Sequence, residues 1–452
     1  MPNGFSQRRL WTPAGLRRAA LCALLCAGGV GFGEQGWAQG QTQGQAQGSG
    51  APGFAQPART AAKASQPPAF SIDVEALGFT APGSGYLGQN ISYASLDFLD
   101  ENHLLFTFRV PGLIRREEDS DKGSDERHIR ALVLALPSGA VEAEAVWTLH
   151  DRGRYLWMLK DKHFLLRDGA ELKQGDAALE LKPGLRFPGT LEWIEMDPSQ
   201  EFLVAGSREP VAAKGPEASL WASATSAGGK ATEEKSQTDL ILRILHRDSG
   251  QVMLSSRLNA AIHLPINRSG YLESLHARGI EWQLSEHSFG GGVTPVARLL
   301  STCAPGSSFV SQHEFVASVC NTLGDHKLQA LTTSGRVLWE VQLSDHEVWP
   351  LLVMAQSGTR LAQEALVVAK SITASTPLTT DDLKGQVVHV YDAANGHLAL
   401  TAEVNPVLDA GGNVAISPSG RRVAVLNGEA LEIFELGVPP WVPDTGDFQN
   451  GH

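Results

Sequence analysis

The densest group of side chains able to hold a cation is the acidic run EEDSDKGSDE at residues 117–126. Asp119, Asp121 and Asp125 place carboxylates at near-alternate positions around Gly123, a pattern suited to a flexible Ca²⁺ loop. The glycine falls one position early for an EF-hand loop, and no glutamate closes the run at the required spacing. The competing reading is a solvated charge run. Five histidines fall into two stretches: His263, His276 and His287, then His313 and His326. None of these pairs has the i, i+4 spacing that puts two zinc ligands on one helical face, so surface or strand positions are expected. No Gly-x-Ser-x-Gly elbow presents a nucleophilic serine. No G-x-x-x-x-G-K-[S/T] loop is present, and no G-x-G-x-x-G follows a strand. The residues therefore predict no catalytic constellation and no cofactor, with Ca²⁺ as the one candidate ion.

Two cysteines downstream of residue 38, Cys303 and Cys320, predict a disulfide in an oxidising compartment. The alternative is a pair of buried free thiols. Trp157, Trp193, Trp282, Trp339 and Trp349 fall on predicted strands. They are expected to pack between sheets, the alternative being a ligand-lining role.

What must position these residues is a repeated unit. GGNVAISPSGRRVAVLNGEALEIFEL (411–436) alternates Val414, Ile416 and Val423, Val425 on two strands joined by a Pro418-Ser419-Gly420 turn. Looser copies occur at 193–207, 262–274 and 353–368. Repetition of a four-strand unit predicts an all-β fold, a β-propeller. Turn positions divide the chain into seven blades, at about 91–150, 153–188, 189–259, 260–304, 305–344, 345–405 and a last one ending near Leu436. Six or eight blades are the alternatives, because the second and fourth are weakly marked. In blade 2 the strands expected are YLWML, HFLLRD and ALELK; in blade 4, AIHLP, YLES, IEWQLSEH and PVARLLSTC. The last blade has only three strands of its own, so the alternating segment FSIDVEALGF (70–79) is predicted to supply its outer strand and close the ring.

Residues 1–38 read as a secretory signal peptide. Arg8, Arg9, Arg17 and Arg18 form a basic start, 19–32 is a short apolar core, and Gly36-Trp37-Ala38 offers a cleavage site. A twin-arginine signal and an uncleaved N-terminal anchor are the alternatives. Leu21 and Leu25 precede Cys22 and Cys26 where an acylation signal needs a small residue, which argues against a lipoprotein. Residues 39–69, rich in Gln, Gly, Ala and Pro, are expected to be a disordered linker, 70–437 the propeller, and 438–452 a loose tail. The formal net charge is −12 for the whole chain, and −15 without the first 38 residues, which carry four arginines and one glutamate. That charge disfavours nucleic acid and anionic membranes. An exported, periplasmic or extracellular protein is expected, a monomer without stable membrane insertion after cleavage.

TTSGRVLWEVQL (332–343) resembles a blade of quinoprotein-type propellers, whose repeats end in Thr-Gly-Lys-x-x-Trp. Thr333, Gly335, Arg336 and Trp339 occupy similar places, with Ser334 inserted. The resemblance implies that Trp339 docks onto the next blade. AISPSGRRVAVL (415–426) resembles the WD40-like and YVTN-type blades of exported bacterial propellers. Quinone-dependent dehydrogenases of the first kind hold Ca²⁺ and a quinone in the ring, through acidic and amide ligands that have no evident counterpart in this sequence. YVTN-like propellers include lactonases.

Three connections are longest, at 111–127, 207–238 and 371–385. Each joins the second and third strands of its blade, so all three are expected on one rim. Insertions confined to one face of a repeat array mark a binding face; the alternative is that surface loops tolerate insertion. The function expected is a non-catalytic binding or scaffold module for a protein or glycan. The alternative is a propeller enzyme, lactonase or quinone-dependent dehydrogenase, working at the central channel.

Overall fold

Alternation of apolar and polar residues, broken by Gly- and Ser-bearing turns, sorts the chain into strands of 3–10 residues. A computed structural model describes residues 65–82, 92–110, 126–150, 153–210, 238–259, 261–320, 326–344, 346–369, 380–408 and 411–439. These hold 27 strands in seven antiparallel sheets.

Blade 1 is β2 (Ala94–Phe98), β3 (His103–Arg109), β4 (Arg127–Ala135) and β5 (Ala140–Leu149). Blade 2 is β6 (Leu156–Met158), β7 (Phe164–Asp168), β8 (Glu171–Gly175) and β9 (Leu181–Arg186). Blade 3 is β10 (Thr190–Met196), β11 (Phe202–Pro210), β12 (Thr238–His246) and β13 (Val252–Leu258). Blade 4 has three strands, β14 (Gly270–Arg278), β15 (Glu281–Ser288) and β16 (Val293–Leu300). Blade 5 is β17 (Gly306–Phe309), β18 (Glu314–Cys320), β19 (His326–Thr332) and β20 (Val337–Leu343). Blade 6 is β21 (Glu347–Met354), β22 (Arg360–Val368), β23 (Leu383–Asp392) and β24 (Leu398–Val404). Blade 7 is β25 (Val414–Ile416), β26 (Arg422–Asn427) and β27 (Ala430–Glu435), with β1 (Phe70–Asp73) hydrogen-bonded to β27 as its outer strand. The β1–β27 register runs from Phe70↔Ile433 to Asp73↔Ala430.

The Pro418-Ser419-Gly420 turn forms as expected. Gly420 sits at φ +77°, and its N–H donates to the Ser417 carbonyl at 2.9 Å. A Cβ there would lie 2.6 Å from Thr359 Oγ1 of blade 6, so the turn also sets how closely two blades approach.

Both faces of a blade are buried by its neighbours, and one apolar cluster fills each junction. Val204, Ile244 and Ile266 lie between blades 3 and 4; Trp339, Leu361 and Tyr391 lie between 5 and 6. Ile72, Phe106, Leu431 and Ile433 lie between 7 and 1, so the ring is closed. Each buried Leu, Ile or Phe is worth about 1.5–3 kcal/mol. One exposed junction would therefore cancel a net stability of about 5–15 kcal/mol; closure is a condition of folding.

Four expectations need correction. The segment 70–79 is strand only as far as Asp73, whose Oδ1 accepts the N–H of Glu75 and Ala76 at 3.0 and 3.2 Å and turns the chain. Val74 and Phe79 are instead core residues, and Phe79 packs edge-on to Phe108. In blade 2, ALELK is not a single strand. Asp176 Oδ1 accepts the N–H of Ala178 and Glu180, making a turn between β8 and β9. In blade 4, AIHLP forms no strand. Asn267 Oδ1 accepts the N–H of Ser269 and Gly270 and tightens the chain, leaving the single bridge Ile266↔Tyr271. The long connections are shorter than expected at their ends. Arg127 belongs to β4, and Ser207–Pro210 pair with Thr238–Ile241, braced by Arg243 Nη2 donating to Glu209 Oε2 at 3.0 Å. A 3₁₀ turn at Thr380–Asp382 leads into β23.

Among the described residues no helix is long and apolar enough to cross a membrane. The segments 1–38, 39–64 and 440–452 lie outside the described residues.

Candidate functional site

The inner edges of the seven blades surround a central cavity of about 360 Å³; in blade 4 that edge is the segment 263–266, which belongs to no strand. That lies at the small end of the range typical of ligand pockets, about 300–1,000 Å³. Most of the residues lining it are apolar, and five charged side chains from four successive blades are among them: Asp97, Arg154, Glu195, Asp197 and His263. Asp197 is taken up by its own turn, where its carboxylate accepts the N–H of Ser199 and Phe202 at 2.9 and 2.8 Å.

Asp97 lies on β2, half-buried, with its Oδ2 accepting a hydrogen bond from Ser95 Oγ at 2.5 Å. Burial pushes its carboxyl up to about 6, against the opposing pull of Arg154 and Ser95. Arg154 precedes β6. Its Nε donates to the Leu156 carbonyl at 3.0 Å, and its guanidinium lies 5.4 Å from the ring centre of Trp157. These two contacts fix the plane of the guanidinium, while its terminal nitrogens have no hydrogen-bond partner among the described residues. Arg154 and Asp97 feel each other's charge without meeting as an ion pair. Burial lowers the Arg154 pKa, and Asp97 offsets part of that.

His263 joins three blades. Its Nδ1 lies 2.7 Å from Glu195 Oε1 of blade 3, and its Nε2 meets the Ser307 carbonyl of blade 5. Both ring nitrogens face acceptors, which suits the imidazolium. Burial works to lower the His263 pKa, but the Glu195 carboxylate and the Ser307 carbonyl overcome it, and the net shift is upward.

A second buried acid lies away from the channel wall, between blades 6 and 7. Glu364 on β22 is 1% exposed and accepts a hydrogen bond from Gln386 Nε2, which also donates to the Leu408 carbonyl at 3.0 Å. Burial raises its carboxyl to about 8.

The histidines singled out in the sequence do not converge, and no group of three or more His, Cys, Asp or Glu suited to a metal occurs among the described residues. His263 is in the channel wall. His276 lies edge-on to Trp282, and His287 stacks on Tyr271 at 4.8 Å. His313 occupies a turn in blade 5, and His326 pairs with Cys320 at the start of β19. Asp119, Asp121 and Asp125 lie outside the described residues. Cys303 and Cys320 form a disulfide between blades 4 and 5, with Cα atoms 5.6 Å apart. Trp193, Trp282 and Trp339 are packing residues: Trp193 covers Gly206, Trp282 donates to the Ser301 carbonyl at 3.0 Å, and Trp339 donates to the Ala393 carbonyl of blade 6. Trp157 lines the channel, and Trp349 lies on β21.

Sequence reasoning singled out His263 but missed the charged group it belongs to, because the members stand in four blades with no shared motif. A signal did exist. Asp97 and Glu195 are carboxylates on inner strands, which are otherwise largely apolar.

No family model matches the chain, and no curated protein matches it. Among solved structures, the Pyrococcus horikoshii acylaminoacyl peptidase aligns at 10% identity and TM-score 0.44, over 75% of this chain and 50% of that one. The chain thus spans about half the length of that peptidase. A chain of a mitotic checkpoint complex aligns at 10% identity and TM-score 0.39, over 86% and 99%. Kluyveromyces lactis Hsv2 aligns at 15% identity and TM-score 0.34, over 64% and 74%. None of these likenesses transfers an activity, and what the chain itself displays is a generic seven-bladed β-propeller.

Proposed function

We propose that the chain is an exported, non-catalytic binding or scaffold module that holds a protein or glycan on the rim bearing the connections 111–127, 207–238 and 371–385. One observation carries this reading. The connections β3–β4, β11–β12 and β22–β23 all run from second to third strand, in blades 1, 3 and 6. In blades 2 and 7 the same step takes two residues, between Asp168 and Glu171 and between Asn427 and Ala430. Strands alternate in direction, so the long connections leave from one side of the disc, and rigid blades beneath variable loops are the usual build of a binding face.

The test replaces 211–237 by a short turn, keeping the ladder between Pro210 and Thr238. Capture of partners from an extract of the source cells, compared by mass spectrometry, should be lost while the melting temperature stays within a few degrees. Unchanged partners on an intact fold would refute the rim as the binding face. Export is tested separately by the mass of the mature protein, expected to begin after Ala38.

A second reading, a propeller enzyme at the channel, is favoured by Arg154 and the half-buried Asp97, which line the same cavity. It predicts hydrolysis of a sugar lactone, or Ca²⁺ and a quinone retained in the native mass spectrum. A purified protein with neither property would count against it.

A further inference from the structure

We propose that the central channel binds a small zwitterion with an apolar side chain, an α-amino acid or a molecule of the same build, its carboxylate on Arg154 and its ammonium on Asp97. This site is distinct from the loop rim and does not depend on it.

Three observations lead there. The first is the state of the two charges. Arg154 lines the cavity, and its terminal guanidinium nitrogens have no hydrogen-bond partner among the described residues, although its Nε bond to Leu156 and its place over Trp157 hold the group in position. A guanidinium fixed in plane with a free fork is prepared for a bidentate carboxylate. Among the described residues Asp97, on the neighbouring blade, has only the Ser95 hydroxyl on its carboxyl and makes no ion pair with Arg154. Two opposite charges that could have paired stay apart around a cavity, and a ligand carrying both complementary charges satisfies both.

The second observation is charge balance. The other charged pair of the wall, His263 and Glu195, is internally satisfied at 2.7 Å. Asp197, the remaining charged side chain of the wall, is taken up by the N–H of Ser199 and Phe202 at 2.9 and 2.8 Å. Among the described residues the channel thus offers one unpaired cation and one unpaired anion. A dianion such as a phosphate ester would face Asp97, Glu195 and Asp197 with only one unpaired guanidinium to hold it. An apolar acid without an amine would leave Asp97 unpaired in its half-buried position.

The third is the wall. Met158, Met196 and Met354 each end the inner strand of their blade, β6, β10 and β21, and all three line the cavity. They are three of the chain's five methionines. An unbranched, polarisable side chain adapts to different apolar shapes, so the wall suits a class of apolar side chains rather than one.

The test is calorimetric titration of the full-length protein with L-leucine, L-methionine and L-phenylalanine, each beside its N-acetyl and carboxamide derivatives. At least one free amino acid should bind. Blocking either the amine or the carboxylate should weaken it at least about tenfold, because each removes a charge-assisted contact. In Arg154→Gln the free acid and the amide should become equivalent; in Asp97→Asn the free amine and the N-acetyl form should. The derivatives need no substitution, so a variant that misfolds does not spoil the result. No binding by any of the three amino acids at millimolar concentration would overturn the proposal. So would blocked forms that bind as well as free ones, or affinities unchanged in both variants.

Discussion

The indole N–H of Trp339, on the last strand of blade 5, donates to the carbonyl of Ala393 in blade 6 at 2.6 Å, and the ring lies against Gly396. Gly396 has φ +70°, and a Cβ there would stand 2.7 Å from the indole. One blade's tryptophan is thus seated on the next blade's turn. Gly396→Ala should destabilise the protein by about 1–3 kcal/mol through strain and displacement of the ring. Trp339→Phe keeps much of the ring but leaves the carbonyl without its donor, at a cost of about 1–3 kcal/mol. Urea unfolding midpoints check both.

His263 yields a pH dependence of definite sign. Its pKa is raised in the folded protein. Its contribution is therefore complete below the unfolded value of about 6.5 and disappears as pH rises through the folded value. The ring is half exposed, so water screens the effect to below about 1 kcal/mol. The stability gap between wild type and His263→Gln should be larger at pH 6 than at pH 9. A gap that grows toward pH 9 would contradict the imidazolium assignment.

Glu364 acts over a wider window. Burial raises its carboxyl to about 8 in the folded protein, against an ordinary value of 4.5. Between those values the folded chain keeps a proton that the unfolded chain has released, so stability falls as pH rises from about 4.5 to 8 and is level above that. The slope is on the order of 1.4 kcal/mol per pH unit at most. Glu364→Gln should flatten this part of the profile and raise the melting temperature relative to wild type at pH 8, read by thermal unfolding from pH 5 to 9.

The Cys303–Cys320 disulfide closes a loop across the blade 4–5 junction. For a sequence separation of 17, the chain-entropy argument gives about 3 kcal/mol. Reduction, or Cys303→Ser with Cys320→Ser, should lower the melting temperature by several degrees without changing the circular dichroism at low temperature.

Most of the seven sheets were legible because their turns carry Pro-Ser-Gly, Asp-Ser-Gly or similar triplets, while the second and fourth blades were only weakly marked. Trp339 was legible for a related reason: the spacing from Thr333 through Gly335 to the indole is a local pattern. The first strand of blade 4 was misread because AIHLP has strand-like composition, while Asn267 bends the chain at its end and His263 reaches out to blades 3 and 5. The turn at Asp176 was misread likewise, since side-chain acceptance of backbone N–H groups leaves little trace in hydropathy. The channel was illegible for a topological reason. Asp97, Arg154, Glu195 and His263 come together only because successive blades each turn their inner edge to a common axis, and no fixed spacing along the chain encodes that.

Phe70 finds its partner only when Ile433 exists. A ribosome releasing this chain delivers the first strand of the ring's seam long before the last, and six blades must wait with a greasy flank at each end of the row. Assembly is consequently an event of the finished polypeptide. Anything that delays the final hairpin, such as a rare codon stretch, lengthens the time in which neighbouring nascent chains join edge to edge.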